Sequence, residues 1–245
     1  MQKNKFKAVI FDVDGTLYKT DKRLLEFINN WGIDKVANCL NLDREQAQSL
    51  LSAKKKETGS STKAMKALGI GDMSTISREV NTASAPIKEE TIQKDSRLVE
   101  MVERLKQAGM KLFTLRNGIG EETVKTLRLL GFTDEARGGA VEVEKNCTRN
   151  KEELGPSFGP FEALIRTVET GRMKPDRAIL DNFLNRTGLR PVECLITGDR
   201  VDVDLIPAKR LGMKTELAVW GERIELHPDV DFYLESIYDV EGLLI

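Results

Sequence analysis

Four polar signals in this 245-residue chain stand where apolar runs end or are about to begin, the places where chemistry is usually mounted. Asp12-Val13-Asp14-Gly15-Thr16 closes the run Ala8-Val9-Ile10-Phe11. Thr114 follows Leu112-Phe113, and Gly198-Asp199, with Asp202 and Asp204 close behind, follows Leu195-Ile196-Thr197. Lys174-Pro175-Asp176 opens the helical pattern that precedes that last run. Each signal alone has a plain structural reading: an Asp-rich turn in which Gly supplies an unusual backbone angle, a strand Thr, a helix entry, an Asp-capped helix start. Taken together, they bring carboxylates, a hydroxyl and an ammonium to one crevice. That set suits a hard divalent cation with oxygen ligands plus a phosphate.

Composition removes competing chemistries. The single His is His227, so a cage of several imidazoles cannot be built, and a Ser-His-Asp triad would rest on a residue followed by Pro228. Carboxylates are left to carry any catalysis. Cys39, Cys147 and Cys194 are odd in number, widely spaced and in no CxxC pair, which suggests neither a disulfide framework nor a thiolate zinc site. With 38 Lys+Arg against 39 Asp+Glu, the formal net charge is -1, without the basic surplus that nucleic-acid binding needs. Lys54-Lys55-Lys56 is followed at once by Glu57 and reads as a solvated helix face. No stretch approaches the roughly 18 apolar residues of a membrane span, and the first residues lead into a strand-like run instead of a signal-peptide core. A cytoplasmic protein with neither nucleic-acid nor membrane partners is expected.

The elements that must position these residues follow from periodicity. The apolar runs at 8–11, 112–113 and 195–196 read as strands buried on both faces, with a further short strand at 215–220. Between them lie helical patterns. Leu98, Met101, Val102 and Leu105 fall on one face after a start at Asp95 or Ser96; Val124, Leu127 and Leu130 precede Gly131; Ile179, Leu180, Phe183 and Leu184 precede Gly188; and 204–211 precedes Gly212. Strands alternating with helices predict an α/β chain with a parallel sheet, a three-layer Rossmann-like core, over 1–17 and 95–245. The stretch 18–94 breaks the alternation. Leu24, Phe27, Ile28 and Trp31, then Ala47, Leu50 and Leu51, then Met65 and Leu68 mark amphipathic faces, so it reads as an all-helical insert. The stretch 138–160, rich in Gly and Pro, reads as a long loop with one weak strand at 140–143.

The same residues carry a family resemblance. Phe11-Asp12-Val13-Asp14-Gly15-Thr16-Leu17 resembles the first motif of the haloacid dehalogenase superfamily of hydrolases. Thr114 is similar to its second, Lys174-Pro175 to its third, and Ile196-Thr197-Gly198-Asp199 through Asp204 to its fourth. The resemblance implies that Asp12 attacks phosphorus and forms an aspartyl-phosphate that water then hydrolyses, with Asp14 protonating the leaving oxygen and later activating the water. Two carboxylates so close, beside a cation, can hold the different proton states that this division requires. It implies Mg²⁺ held by Asp12, the Asp14 carbonyl, Asp199 and Asp204, and phosphoryl oxygens bound by Thr114 and Lys174. Asp14 also separates this chain from the dehalogenase branch, which lacks an acid there, so phosphoester chemistry is favoured.

Where relatives carry Asn directly after the Thr, this chain has Leu115-Arg116-Asn117. Arg116 is either a phosphate clamp or a surface residue, and Arg116 and Asn117 are the candidate substrate-binding residues. Asp202 competes with Asp204 for the second acidic role, and the family's Gly-Asp-x-x-x-x-Asp spacing favours Asp204. The insert at 18–94 resembles the family's C1-type cap, with a faint likeness to pyrimidine 5'-nucleotidase-like members. A lid of that kind implies a small phosphorylated metabolite as substrate: a nucleoside monophosphate, a sugar phosphate or phosphoglycolate. A phosphotransferase such as a sugar-phosphate mutase, and a non-catalytic phosphate-binding module, share the motifs and stand as alternatives.

Overall fold

The computed structural model describes residues 6–134, 154–222 and 224–245. They fall into two compact units, Met1–Lys19 with Ile92–Ile245, and Thr20–Thr91. The first unit is built on six parallel strands: β1 (Ala8–Phe11), β2 (Lys111–Leu115), β3 (Ala163–Ile165), β4 (Cys194–Gly198), β5 (Lys214–Ala218) and β6 (Phe232–Leu234). Their order is β3-β2-β1-β4-β5-β6, so the sheet grows one way from β1 and then, from β4, the other. A crevice opens beyond the carboxyl ends of the strands where that order reverses. Register places Phe11 level with Thr114 on one side and Thr197 on the other, so the residues that leave β1, β2 and β4 emerge side by side.

Helices α1 (Lys22–Leu40), α2 (Arg44–Thr58), α3 (Ser61–Ala67) and α4 (Met73–Thr91) form the second unit. Helices α5 (Ser96–Gln107), α6 (Gly120–Leu130), α7 (Ala178–Thr187), α8 (Ile206–Lys209) and α9 (Val240–Leu244) belong to the first. Strand alternation sorts the sheet residues onto two faces. Val9, Phe11, Leu112, Leu164 and Leu195 pack with Leu98, Met101, Val102 and Leu105 of α5, Leu127 and Leu130 of α6, and Val240 of α9. Ala8, Ile10, Phe113, Leu115, Ile165 and Ile196 pack with Ile179, Leu180 and Phe183 of α7 and Ala208 of α8. The three-layer parallel α/β architecture is as expected. Edge-to-face rings, Phe11 on Phe161 and Phe113 on Phe183, join strands to both flanking layers, each pair adding about 0.5–1.5 kcal/mol beyond its burial.

Several local expectations are met for the expected reason. Asp95 accepts from Leu98 N–H and starts α5, and Gly131 and Gly188, in the left-handed region, end α6 and α7. Others are corrected. The strands β3 and β6 are absent from the reading of the sequence, and the helix expected over 204–211 is a wide π-type turn, Val201–Leu205, followed by the single turn of α8. The weak strand at 140–143 and the loop up to residue 153 lie outside the described residues. From 154 onward the loop folds back: Phe158 and Phe161 exchange backbone hydrogen bonds and bury both rings in the core.

The second unit has its own core. Ile33 and Val36 of α1, Ala47 and Leu51 of α2, Ala64 and Met65 of α3 and Ile76 of α4 form one cluster. Three helices were legible. The fourth, α4, was not, because its face toward this core alternates with buried Ser77, Asn81, Ser84 and Lys88 and its interior holds Pro86. Lys54 to Lys56 lie on the solvated side of α2, as the charge run suggested. Among the described residues no helix is long and apolar enough to cross a membrane.

Candidate active site

Asp12 leaves β1 as the first residue of the crevice, and its backbone N–H donates to Thr197 O of β4, which anchors it at the strand end. The residue is 7% exposed. Lys174 Nζ donates to Asp12 Oδ1 at 2.6 Å and lies 2.7 Å from Asp204 Oδ1. Thr16 Oγ1 donates to Asp12 Oδ2 at 3.3 Å. Oxygens of Asp12, Asp199 and Asp204 all lie within 4.8 Å of one another. The three acids that the family resemblance singled out therefore meet, together with Lys174, across separations of up to 192 positions.

Two glycines make the cluster possible. Gly15 has φ +83°, and a Cβ there would lie 2.2 Å from Asp199 Oδ2; a Cβ on Gly198 would lie 2.6 Å from Asp204 Cβ. Each Gly is thus a gap into which an acid of the fourth motif fits. The wide turn Val201–Leu205 does the rest. It closes with Asp204 N–H donating to Arg200 O at 2.8 Å and Arg200 N–H donating back to Asp204 Oδ2 at 3.2 Å. That geometry turns Asp204 inward, at 2% exposure, while Asp202 stays outside in an ion pair with Arg200. On the far side of the Gly15 turn, Trp220, which has φ +50°, donates its indole N–H to Gly15 O at 2.7 Å.

The electrostatics are those of crowded acids. Burial, and then Asp204 and Asp199, push Asp12 up to about 7 against the pull of Lys174. Partial desolvation and the charge of Asp204 push Asp199 up to about 6. Burial works against the charge on Lys174, but Asp12 and Asp204 outweigh it and hold the ammonium well above its ordinary value. Three carboxyl groups thus share a single ammonium. A divalent cation is what such a donor set fits.

The second motif departs from expectation. Thr114 lies at the end of β2, 1% exposed, and its hydroxyl has no hydrogen-bond partner among the described residues. Register sets Thr114 level with Phe11 and Leu164, whose side chains pack in the core on one face of the sheet. Arg116, open from the sequence as either a phosphate clamp or a surface residue, is buried. It is 6% exposed, and its Nε–H donates to Asp14 Oδ2 at 2.5 Å and its Nη1 to Thr126 Oγ1 at 3.2 Å. Asn117, the other candidate substrate contact, turns to Lys174: its Oδ1 accepts from Lys174 N–H at 2.7 Å and its Nδ2 donates to Lys174 O at 3.3 Å. It aims the Lys from behind.

Three contributors escaped the reading of the sequence. Tyr18 Oη–H donates to Asp14 Oδ1 at 2.6 Å; its i+4 spacing from Asp14 was the available signal. Thr16 stands in the motif itself, four residues after the Asp12 that accepts its hydroxyl. Thr167 is fully buried and donates to Arg116 O at 2.8 Å while accepting from Gly118 N–H at 3.2 Å, fixing the loop after β2. It follows the unforeseen β3, and no motif marks it.

With this geometry in view, comparison with known proteins gives the class. A family model for haloacid dehalogenase-like hydrolases matches residues 6–212, and the chain belongs to that family. It is 26% identical over 249 residues to a glyceraldehyde 3-phosphate phosphatase of Methanocaldococcus jannaschii, across 97% of this chain and 96% of the relative. It is 28% identical over 144 residues to a phosphoglycolate phosphatase of Aquifex aeolicus, across 58% of this chain and 55% of the relative. The expected phosphatase within the family is borne out by both relatives. Among solved structures, a HAD phosphatase from Thermococcus onnurineus matches with a TM-score of 0.64 at 19% identity over 98% of both chains. A 2-haloacid dehalogenase from Pseudomonas syringae matches at 0.56 with 16% identity over 98% of both. At such identities these two speak to the fold alone.

Proposed function

We propose that this hydrolase is a Mg²⁺-dependent phosphomonoesterase for a small phosphorylated metabolite, with Asp12 as nucleophile and Asp14 as acid and base. The observation that carries the reading is the meeting of Asp12, Lys174, Asp199 and Asp204. Asp12 attacks phosphorus in line, and the ester P–O bond breaks as Asp14 gives its proton to the departing oxygen. Water then attacks the same phosphorus, giving a proton back to Asp14, and the Asp12 acyl phosphate opens to carboxylate and inorganic phosphate. Thr114 donates to a phosphoryl oxygen, and Lys174, aimed by Asn117, lowers the repulsion between Asp12 and the anionic ester. Oxygens of Asp12, Asp199 and Asp204 with the Asp14 main-chain carbonyl are the donors for Mg²⁺, which when bound supplies the positive charge that the cluster lacks.

The relatives' names favour two- and three-carbon phosphate esters as the first substrates to try. The helical unit Thr20–Thr91, inserted between Lys19 and Ile92, is assigned the part of a cap that selects among them. A phosphate-release screen over some tens of metabolites, with and without Mg²⁺, tests the reading. Release is expected with Mg²⁺ and lost on chelation, and Asp12→Asn should reduce it by at least ~10³-fold. Full activity in Asp12→Asn, or silence across the panel, would sink it.

A further inference from the structure

The residue whose position departs most from family expectation is Arg116. Resting on the reading of Asp14 as acid and base, we propose that Arg116, helped by Tyr18, is a positioning residue that aims the Asp14 carboxyl at the leaving oxygen and makes no contact with the phosphate.

Both Asp14 oxygens are engaged, and each by a different element. Oδ2 accepts from Arg116 Nε–H at 2.5 Å, across from the end of β2, and Oδ1 accepts from Tyr18 Oη–H at 2.6 Å, four residues along the same loop. A carboxylate held at two points by buried groups loses its choice of rotamer. The holder is itself rigid. The Arg116 side chain is 6% exposed against 39% for that of Asp14, so the guanidinium is the embedded partner and the carboxylate the one that reaches solvent. Arg116 Nη1 is spent on Thr126 Oγ1 of α6, and its carbonyl accepts from Thr167 Oγ1 at 2.8 Å and Gly118 N–H at 3.0 Å. A buried guanidinium is kept only where its planar donors are used, and here two of them are committed to protein oxygens. Pinned through Nε and Nη1, the guanidinium has its plane fixed between Asp14 and Thr126. The sequence order fits as well: with Asn117 bonded to the Lys174 backbone, the loop after β2 serves Asp14 and Lys174.

The test uses the leaving group, because a misaimed acid is felt only where a proton is needed. An alkoxide leaves poorly unless protonated, whereas para-nitrophenolate leaves as a stable anion. In the presence of Mg²⁺, Arg116→Leu should lower kcat/KM by ~10²-fold for the alkyl ester the wild type turns over best, and by less than ~3-fold for para-nitrophenyl phosphate. Tyr18→Phe deletes one hydroxyl, keeps the ring in the core, and should show the same selectivity to a smaller degree; it carries the test if Arg116→Leu does not fold. In an Asp14→Asn background, Arg116→Leu should cost nothing further on either ester, since a residue that acts only through Asp14 is silent once Asp14 is gone. An equal loss on both esters, or a loss that persists beside Asp14→Asn, overturns the inference and returns Arg116 to a phosphate contact or a general structural role. Wild-type protein that releases phosphate from neither ester defeats the phosphatase reading instead, so the two failures are told apart.

Discussion

At the scale of single residues, the groups at the strand ends differ in how they are partnered. Asp12, Asp14 and Lys174 each have named partners, while the Thr114 hydroxyl is buried and idle. Removing an unpaired buried hydroxyl costs a folded protein little and can help it. Thr114→Val should therefore leave the melting temperature unchanged or slightly raised, and still lower kcat by ~10²-fold or more, as expected for a lost donor to developing charge. A matched fall in stability and activity would mean that Thr114 serves packing and not the phosphoryl group. The acids themselves were legible from spacing, because a motif fixes which residue types leave a strand. Their holders were not. Asn117, Thr167 and Tyr18 act through hydrogen bonds to partners 57, 51 and 4 positions away, and only the last separation is visible in a sequence.

At the scale of elements, two glycines with almost the same backbone angle separate strain from function. Gly15 has φ +83° and faces Asp199; Gly59, which ends α2, has φ +81° and faces open space. Gly59→Ala should cost about 1 kcal/mol of stability and leave turnover intact. Gly15→Ala adds a Cβ within 2.2 Å of Asp199 Oδ2, so the acid must move, and kcat/KM should fall by ~100-fold for a displacement on the order of an ångström. Equal effects at both sites, measured by thermal denaturation and steady-state kinetics, would remove the steric argument. The fold was legible wherever an element was long or buried on both sides. The run of β1 announces itself as an uninterrupted apolar stretch, those of β2 and β4 as shorter apolar pairs that lead into a Thr, and α5 by its period and its Asp95 cap. The strands β3 and β6 are three residues each, too short to carry a period, and both lie at the ends of the sheet. Segment length, more than hydrophobicity, set what could be read.

At the scale of the whole molecule, stability and pH are tied through a carboxyl that takes no part in the chemistry. Glu216 of β5 is fully buried opposite Thr197, whose hydroxyl donates to Glu216 Oε2 at 2.6 Å, and its Oε1 has no hydrogen-bond partner among the described residues. Burial, with a contribution from Asp239, pushes it up to about 8 from 4.5, against the smaller pull of Thr197. A folded-state pKa above the unfolded one favours the protonated form. The stability that form provides is complete below about 4.5 and is lost as pH rises through about 8. Glu216→Gln, which fixes a neutral group, should match the wild type near pH 5 in urea denaturation and exceed it at pH 9 by a few kcal/mol, an order-of-magnitude figure from linkage. Curves that stay parallel from pH 5 to 9 would show that Glu216 is ionised or solvated throughout.

The bond from the Trp220 indole to the Gly15 carbonyl also has an optical side. The chain holds two tryptophans: Trp31, packed against the core of the helical unit, and Trp220, tied to the turn that carries Asp14. Each compact unit therefore contains its own fluorophore. In a Trp31→Phe background the emission of the remaining indole comes from beside the turn that carries Asp14, so occupancy of the proposed site can be followed by light, without a label and without turnover.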